Sequence, residues 1–115
     1  MGLMEMLIEV ADIVCTTSSL THTEDHLKKW KDGRARGIAV DEAGRMSRGD
    51  LYSVWGNTLM PCLLAGDEHF VPLEVKSLYD RDAEGNMRNR FGDDARKSAL
   101  EFITATGWPV YRVRG

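Results

Sequence analysis

Leu3, Met6, Leu7 and Val10 recur at intervals of three and four, the spacing of one face of a short helix. Residues 12–17, DIVCTT, follow as a β-branched run that predicts a strand. The stretch TEDHLKKWKDG, residues 23–33, predicts a helix. Thr21 or Thr23 can cap it, acids come early, lysines come late, and Gly33 stops it. GIAV at 37–40 predicts a second strand, and MPCLLAG at 60–66 a third. Between them, SRGDLYSVWGN at 47–57 is a weakly patterned helix with Leu51, Val54 and Trp55 inward. Residues 79–94 carry almost no apolar side chain and many turn formers, which predicts a long surface loop. A helix over 94–107 lines one face with Ala95, Ala99, Leu100, Phe102 and Ile103 and stops at Gly107. WPVYRVRG closes the chain as a strand, and nothing repeats.

Strands that alternate with helices favour an α/β fold with a largely parallel sheet. Ligands of such sheets bind beyond the carboxyl ends of the strands. Thr16 and Thr17, Asp41 and Glu42, and Asp67 all fall at predicted strand ends, so three strands are expected to bring polar groups to one edge. The bland reading is that strand ends are polar because they meet solvent. Against it stands the cost of placing two carboxylates side by side after a buried strand with nothing to pair them.

Composition narrows the classes. At 115 residues with 43% hydrophobic content, the chain has material for one small core. A net charge of −3 argues against nucleic-acid binding driven by bulk positive charge, while leaving room for a local basic patch. Arg34, Arg36, Arg45 and Arg48 flank the acidic pair, and Arg88, Arg90 and Arg96 lie around the loop and last helix. They could meet phosphates, although such charges are more commonly a solvated surface. Cys15 and Cys62 form no CxxC pair. One disulfide is an option, but buried thiols in a reducing compartment are the expectation. The N-terminal stretch has Glu5 and Glu9 and no basic region, so it does not read as a secretory signal, and no run reaches membrane-spanning length. An intracellular chain, cytoplasmic or nuclear and without a membrane partner, is expected.

The chemistry follows from IAVDEAG, residues 38–44. One carboxylate at a strand end can hold magnesium through water, and its neighbour can take a proton from a water attacking a phosphate. Such an Asp-Glu pair is the Walker B form of this arrangement. Its usual companion, G-x-x-x-x-G-K-[ST], occurs nowhere in the sequence.

The succession ADIVCTTSS, IAVDEAG, LLAGDEHFVP and NRFGDDARKSALEFITATGWPVYRVRG is more specific. In order and spacing it resembles the first RecA-like domain of superfamily-one nucleic-acid helicases. The nearest branch is the RNA-decay and transcription-termination group in its fungal form, from about Leu7 to the last residue. The resemblance implies a partial P-loop-NTPase, RecA-like three-layer sandwich with a mainly parallel sheet, spanning 1–115 and lacking the phosphate-binding loop. It implies that Asp41 organises magnesium and that Glu42 is the base activating water. Gly66 and Asp67 would link nucleotide state to grip on nucleic acid, and Thr16, Thr17 and Ser18 would contact the backbone of single-stranded RNA or DNA. Magnesium and ATP are the cofactors this implies for the full-length family; for this chain alone, neither ATP hydrolysis nor a bound cofactor is expected. After Gly-Asp the family has two variable residues and then Gln; here that position is Phe70, which removes an amide able to reach a phosphate. The family's central phosphate-loop strand is also missing, so the sheet is expected to close up or to self-associate through an open edge.

Two rival readings carry different chemistry. Asp67 with Glu74 and Lys76 imitates the acid plus Glu-x-Lys site of a magnesium-dependent nuclease. A helicase-like remnant could also serve as a non-enzymatic module that binds RNA or protein. His22 and His26 are four apart on a predicted helix, yet without a His-Glu-x-x-His pattern they read as exposed helix-start histidines.

Overall fold

A computed structural model describes residues 2–56, 58–67 and 72–113. Its elements run α1 (Leu3–Val10), α2 (Leu20–Thr23), α3 (Asp25–Arg34), β1 (Ile38–Val40), a 3-10 turn (Ala43–Arg45), α4 (Arg48–Trp55), β2 (Cys62–Leu64), α5 (Gly92–Ala95) and α6 (Ala99–Ala105). The fold is a small mixed arrangement of helices and strands with a two-stranded parallel sheet. The chain divides into two compact units, Met1–Ala39 with Gly49–Leu63, and Val40–Arg48 with Leu64–Gly115.

In the first unit, α1 takes the predicted span, but none of its residues is buried. It is tied to α3 by polar groups. His26 Nε2 lies 2.8 Å from Glu5 Oε1, Arg34 donates to the Glu9 carbonyl, and just past α1 Trp30 Nε1 donates to the Ala11 carbonyl at 3.1 Å. The expected threonine cap of α3 is not used. Thr23 Oγ1 instead donates back to the Ser19 carbonyl at 2.9 Å, closing the short α2, and Glu24 occupies the cap position. This is the competition between a short hydroxyl side chain and the cap geometry. Gly33 lies inside α3, which ends at Arg34. Helix α4 buries Leu51 and Val54 as expected, and Gly56, at φ +61°, follows its last residue. A left-handed glycine there satisfies the helix end without a Cβ clash. Beyond it, Trp55 Nε1 donates to the Met60 carbonyl at 2.9 Å.

The two strands pair in parallel. Ile38 N–H donates to the Pro61 carbonyl at 2.9 Å, and Ala65 N–H to the Val40 carbonyl at 2.8 Å. The other two expected strands do not form. Residues 12–17 and 108–113 have no regular structure. β-branched and alternating sequence makes a strand only where a neighbour completes its ladder, and among the described residues neither segment has such a neighbour.

In the second unit, Val40, Ala43, Leu78 and Ala99 are buried. The expected single helix over 94–107 is two pieces. Ser98, nearly inaccessible, caps α6 by accepting the Glu101 N–H at 3.1 Å, and Ala99 N–H leaves the helix direction to donate to the Met46 carbonyl at 2.7 Å. Ser98 and Glu101 stand in the S-x-x-E spacing of a helix start. The loop expected over 79–94 extends only to Phe91, after which α5 begins, and is pinned by Asp82, whose Oδ1 accepts the N–H groups of Glu84 and Asn86 at 3.0 and 2.8 Å. No helix among the described residues is long and apolar enough to cross a membrane.

Candidate functional site

Asp41 and Glu42 follow β1 directly, and both are exposed. The chain turns sharply there. Asp41 Oδ1 accepts the Glu42 N–H at 2.9 Å, and Glu42 itself is left-handed at φ 55°. A side chain in that region costs on the order of 1 kcal/mol. Surrounding bonds hold it: Ala43 N–H donates to the Ala65 carbonyl at 2.8 Å, and Arg45 N–H to the Glu42 carbonyl at 2.9 Å. Ala43 is fully buried, so the turn is anchored from below while both carboxylates stay in water. Glu42 Oε2 lies 3.7 Å from Arg45 Nε, a loose and exposed ion pair.

Gly66 and Asp67 follow β2 on the same side of the unit's backbone ladder, past Ala65. A Cβ at Gly66 would stand 2.8 Å from Leu100 Cδ2, 3.0 Å from Gly44 N and 3.4 Å from Ala43 N. A side chain there would crowd the close passage of the backbone after β2 past the Asp-Glu turn, which favours glycine. Asp67 is exposed. Glu74 and Lys76 are exposed as well. Phe70, the position where the family places Gln, lies outside the described residues, as does Val71.

Thr16, Thr17 and Ser18 belong to the first unit. Because residues 12–17 form no strand, they do not end one, and among the described residues two strands, not three, deliver polar groups at their ends. Thr16 and Thr17 are exposed, while the Ser18 carbonyl opens the turn into α2, accepting Thr21 Oγ1 at 2.6 Å.

Among the described residues no three histidine, cysteine or acidic side chains group as a metal site. His26 is occupied with Glu5, and His22 Nδ1 lies 3.2 Å from the Ser18 carbonyl. Arg48, one of the arginines flanking the acidic pair, is not a loose surface charge. Its guanidinium pairs with Asp94, donates to the Asp94 carbonyl at 3.1 Å and sits 4.6 Å from the centroid of the Phe102 ring. A cation held over a ring while it also bonds a carboxylate suits arginine better than lysine. The Arg48 hydrogen bond holds the Asp94 carboxyl below its usual range. Sequence reasoning placed Arg48 near the acidic pair but had no signal for its partners, which are far away along the chain. Both cysteines are free; Cys15 is exposed, contrary to the buried thiol expected, and Cys62 is half-buried, its thiol pushed up in pKa by that burial.

Compared with protein-family models, with curated proteins and with solved structures, the chain matches none.

Proposed function

We infer that the chain is the Asp-Glu portion of an ATP-dependent nucleic-acid helicase domain of the superfamily-one kind, a partial RecA-like sandwich that does not hydrolyse ATP by itself. One observation supports this most. Asp41-Glu42 and Gly66-Asp67 follow two parallel, directly paired strands, and the two turns pack so closely that a Cβ at residue 66 would stand 3.0 Å from the Gly44 amide nitrogen. Parallel strand ends that bring acids together are where α/β sheets handle nucleotides. Asp41 keeps one carboxylate oxygen outside its bond to Glu42 N–H, which suits a water-mediated magnesium ion. Magnesium there would screen phosphate charge. Glu42, exposed and one residue on, suits the removal of a proton from water. The sequence has no phosphate-cradling loop, so Mg-ATP affinity is weak. The partner is single-stranded RNA or DNA held by phosphate contacts at Thr16, Thr17 and Ser18, and the two-stranded sheet leaves an open edge through which copies could associate.

Anisotropy of a labelled single-stranded oligonucleotide tests this reading. Binding is expected at low salt and weakens to a Kd of roughly 10⁻⁴ M or poorer at physiological salt. Thr16→Ala with Thr17→Ala weakens it further. No binding even at low salt would overturn the reading. Magnesium-dependent cleavage that Glu74→Ala abolishes would replace it with the nuclease.

A further inference from the structure

We propose that Arg48 is a positioning residue for Glu42: its clamp on Asp94 and Phe102 holds the Asp-Glu turn in the backbone pose that presents the acid. This role rests on the reading of Glu42 as the base and names the side chain that sets it. Among the described residues Glu42 is the one non-glycine residue at positive φ. A backbone in that region persists only where its surroundings over-determine it. Arg45, the nearest cation, does not supply the hold. It lies 3.7 Å from the Glu42 carboxylate, and the two side chains are 81% and 72% exposed, too loose a contact to fix a backbone.

The hold comes from the segment that leaves the turn. Arg45 N–H donates to the Glu42 carbonyl at 2.9 Å and Met46 N–H to the Ala43 carbonyl at 3.3 Å, so residues 42–46 form one tight turn. Its far end is fastened at three successive residues. Ala99 N–H donates to the Met46 carbonyl at 2.7 Å, and Ser47 and Ser98 form an isolated antiparallel bridge. Arg48 then reaches both following helices, pairing with Asp94 of α5 and lying over the Phe102 ring of α6. The first two fastenings are made by backbone. Arg48 makes the third with a side chain only 22% exposed, so its charge is largely withdrawn from solvent. Helix α6 also sets Leu100 beside Gly66, where the backbone passes the Asp-Glu turn. Loss of Arg48 therefore loosens the end of the turn from α6. Glu42 is then expected to relax to negative φ, the region open to a glutamate without strain.

The test is solution NMR of the full chain without nucleotide or nucleic acid. The pose of Glu42 is thus measured apart from oligonucleotide binding, which decides the helicase-like reading. In wild type Glu42 is expected to show the strong intraresidue amide-to-Hα cross-peak of a positive φ. Arg48→Ala is expected to lose it, and Arg48→Lys to keep part of it, since lysine retains the charge. Asp94→Asn is expected to weaken it and serves if Arg48→Ala does not fold. Asp82→Ala, which removes the acceptor of the Glu84 and Asn86 N–H groups and leaves the clamp alone, is expected to keep it intact. Urea unfolding reads the same coupling. In Glu42→Gly the left-handed backbone carries no strain, so adding Arg48→Ala is expected to lose more stability there than in wild type, where relaxation of Glu42 offsets part of the loss. A cross-peak at full strength in both Arg48→Ala and Asp94→Asn overturns the proposal, as do equal losses in the two urea backgrounds. So does loss of the cross-peak in Asp82→Ala, which would make the pose follow overall stability, or its absence from wild type.

Discussion

Helices α1 and α4 have the same length and opposite fates. α1, LMEMLIEV, has the clear apolar stripe and buries nothing. α4, RGDLYSVW, has a weak pattern and carries Leu51, fully inaccessible, together with buried Val54. The difference is what each helix is fastened by. α1 is held through hydrogen bonds from His26, Trp30 and Arg34 to its polar side and its end. α4 continues into an aromatic stop, with Trp55 bonded to the Met60 carbonyl and Thr58 to the Trp55 carbonyl at 2.8 Å. Lys31 also donates to the Ser53 carbonyl within it at 3.2 Å. Periodicity says which residues share a face; it does not say whether that face is covered.

Truncation gives the largest contrast. Leu51→Ala is expected to cost about 2–5 kcal/mol, the range for emptying a filled core position. Leu7→Ala, at an exposed site, is expected to change stability by no more than about 0.5 kcal/mol. Urea unfolding of both variants decides it. Equal losses would mean that α1 is covered within one chain, and the comparison would collapse.

Gly66→Ala comes next. Leu100 can swing its methyl aside, but the Gly44 amide at 3.0 Å is backbone and cannot. Overpacking of this kind costs about 1–3 kcal/mol. Adding Leu100→Ala should recover only part of that loss. Full recovery would show that the side chain, and not the close passage of the two turns, imposes the glycine.

These contrasts mark what could be read in the sequence. The helices at 3–10 and 48–55, the strands at 38–40 and 62–64 and the loop before Gly92 were legible because local period and turn residues decide them. The segments at 12–17 and 108–113 misled, because their β-branched and alternating residues say nothing about a pairing partner. At the candidate site, Asp41-Glu42 stood out as acids after an apolar run. The left-handed backbone of Glu42 and the clamp of Arg48 on Asp94 and Phe102 did not, since each depends on residues far away in sequence.

A smaller effect separates the two thiols. Cys15 lies in the unpaired run after α1 and is exposed, whereas Cys62 is in β2, with its pKa raised by burial. Only the thiolate reacts. At neutral pH a maleimide should label Cys15 first and Cys62 more slowly, as read by mass spectrometry of timed aliquots. If Cys62 reacted first, the pairing of β2 would not be protecting it.

The smallest effect concerns the start of α4, where Arg48 holds Asp94. The Asp94 side chain is 55% exposed, so solvent screens the pair and the stabilisation is modest. Its sign is definite. The Arg48 hydrogen bond, foremost, lowers the folded-state pKa of Asp94, and the nearby charges of Arg48 and Lys97 lower it further against some desolvation. A group lowered on folding stabilises fully above its unfolded pKa, about 3.9 for aspartate. That contribution is lost as pH falls through the lower, folded value. Melting temperature recorded downward from neutral pH should therefore fall less steeply at the acid end in Asp94→Asn than in wild type, with the two curves converging at the lowest pH. Arg48→Lys should flatten the limb only in part, because lysine keeps the charge and loses the guanidinium's several fixed donors. Identical acid limbs in all three proteins would show that the clamp adds nothing to the stability of the second unit, leaving its buried Val40, Ala43, Leu78 and Ala99 to account for it alone.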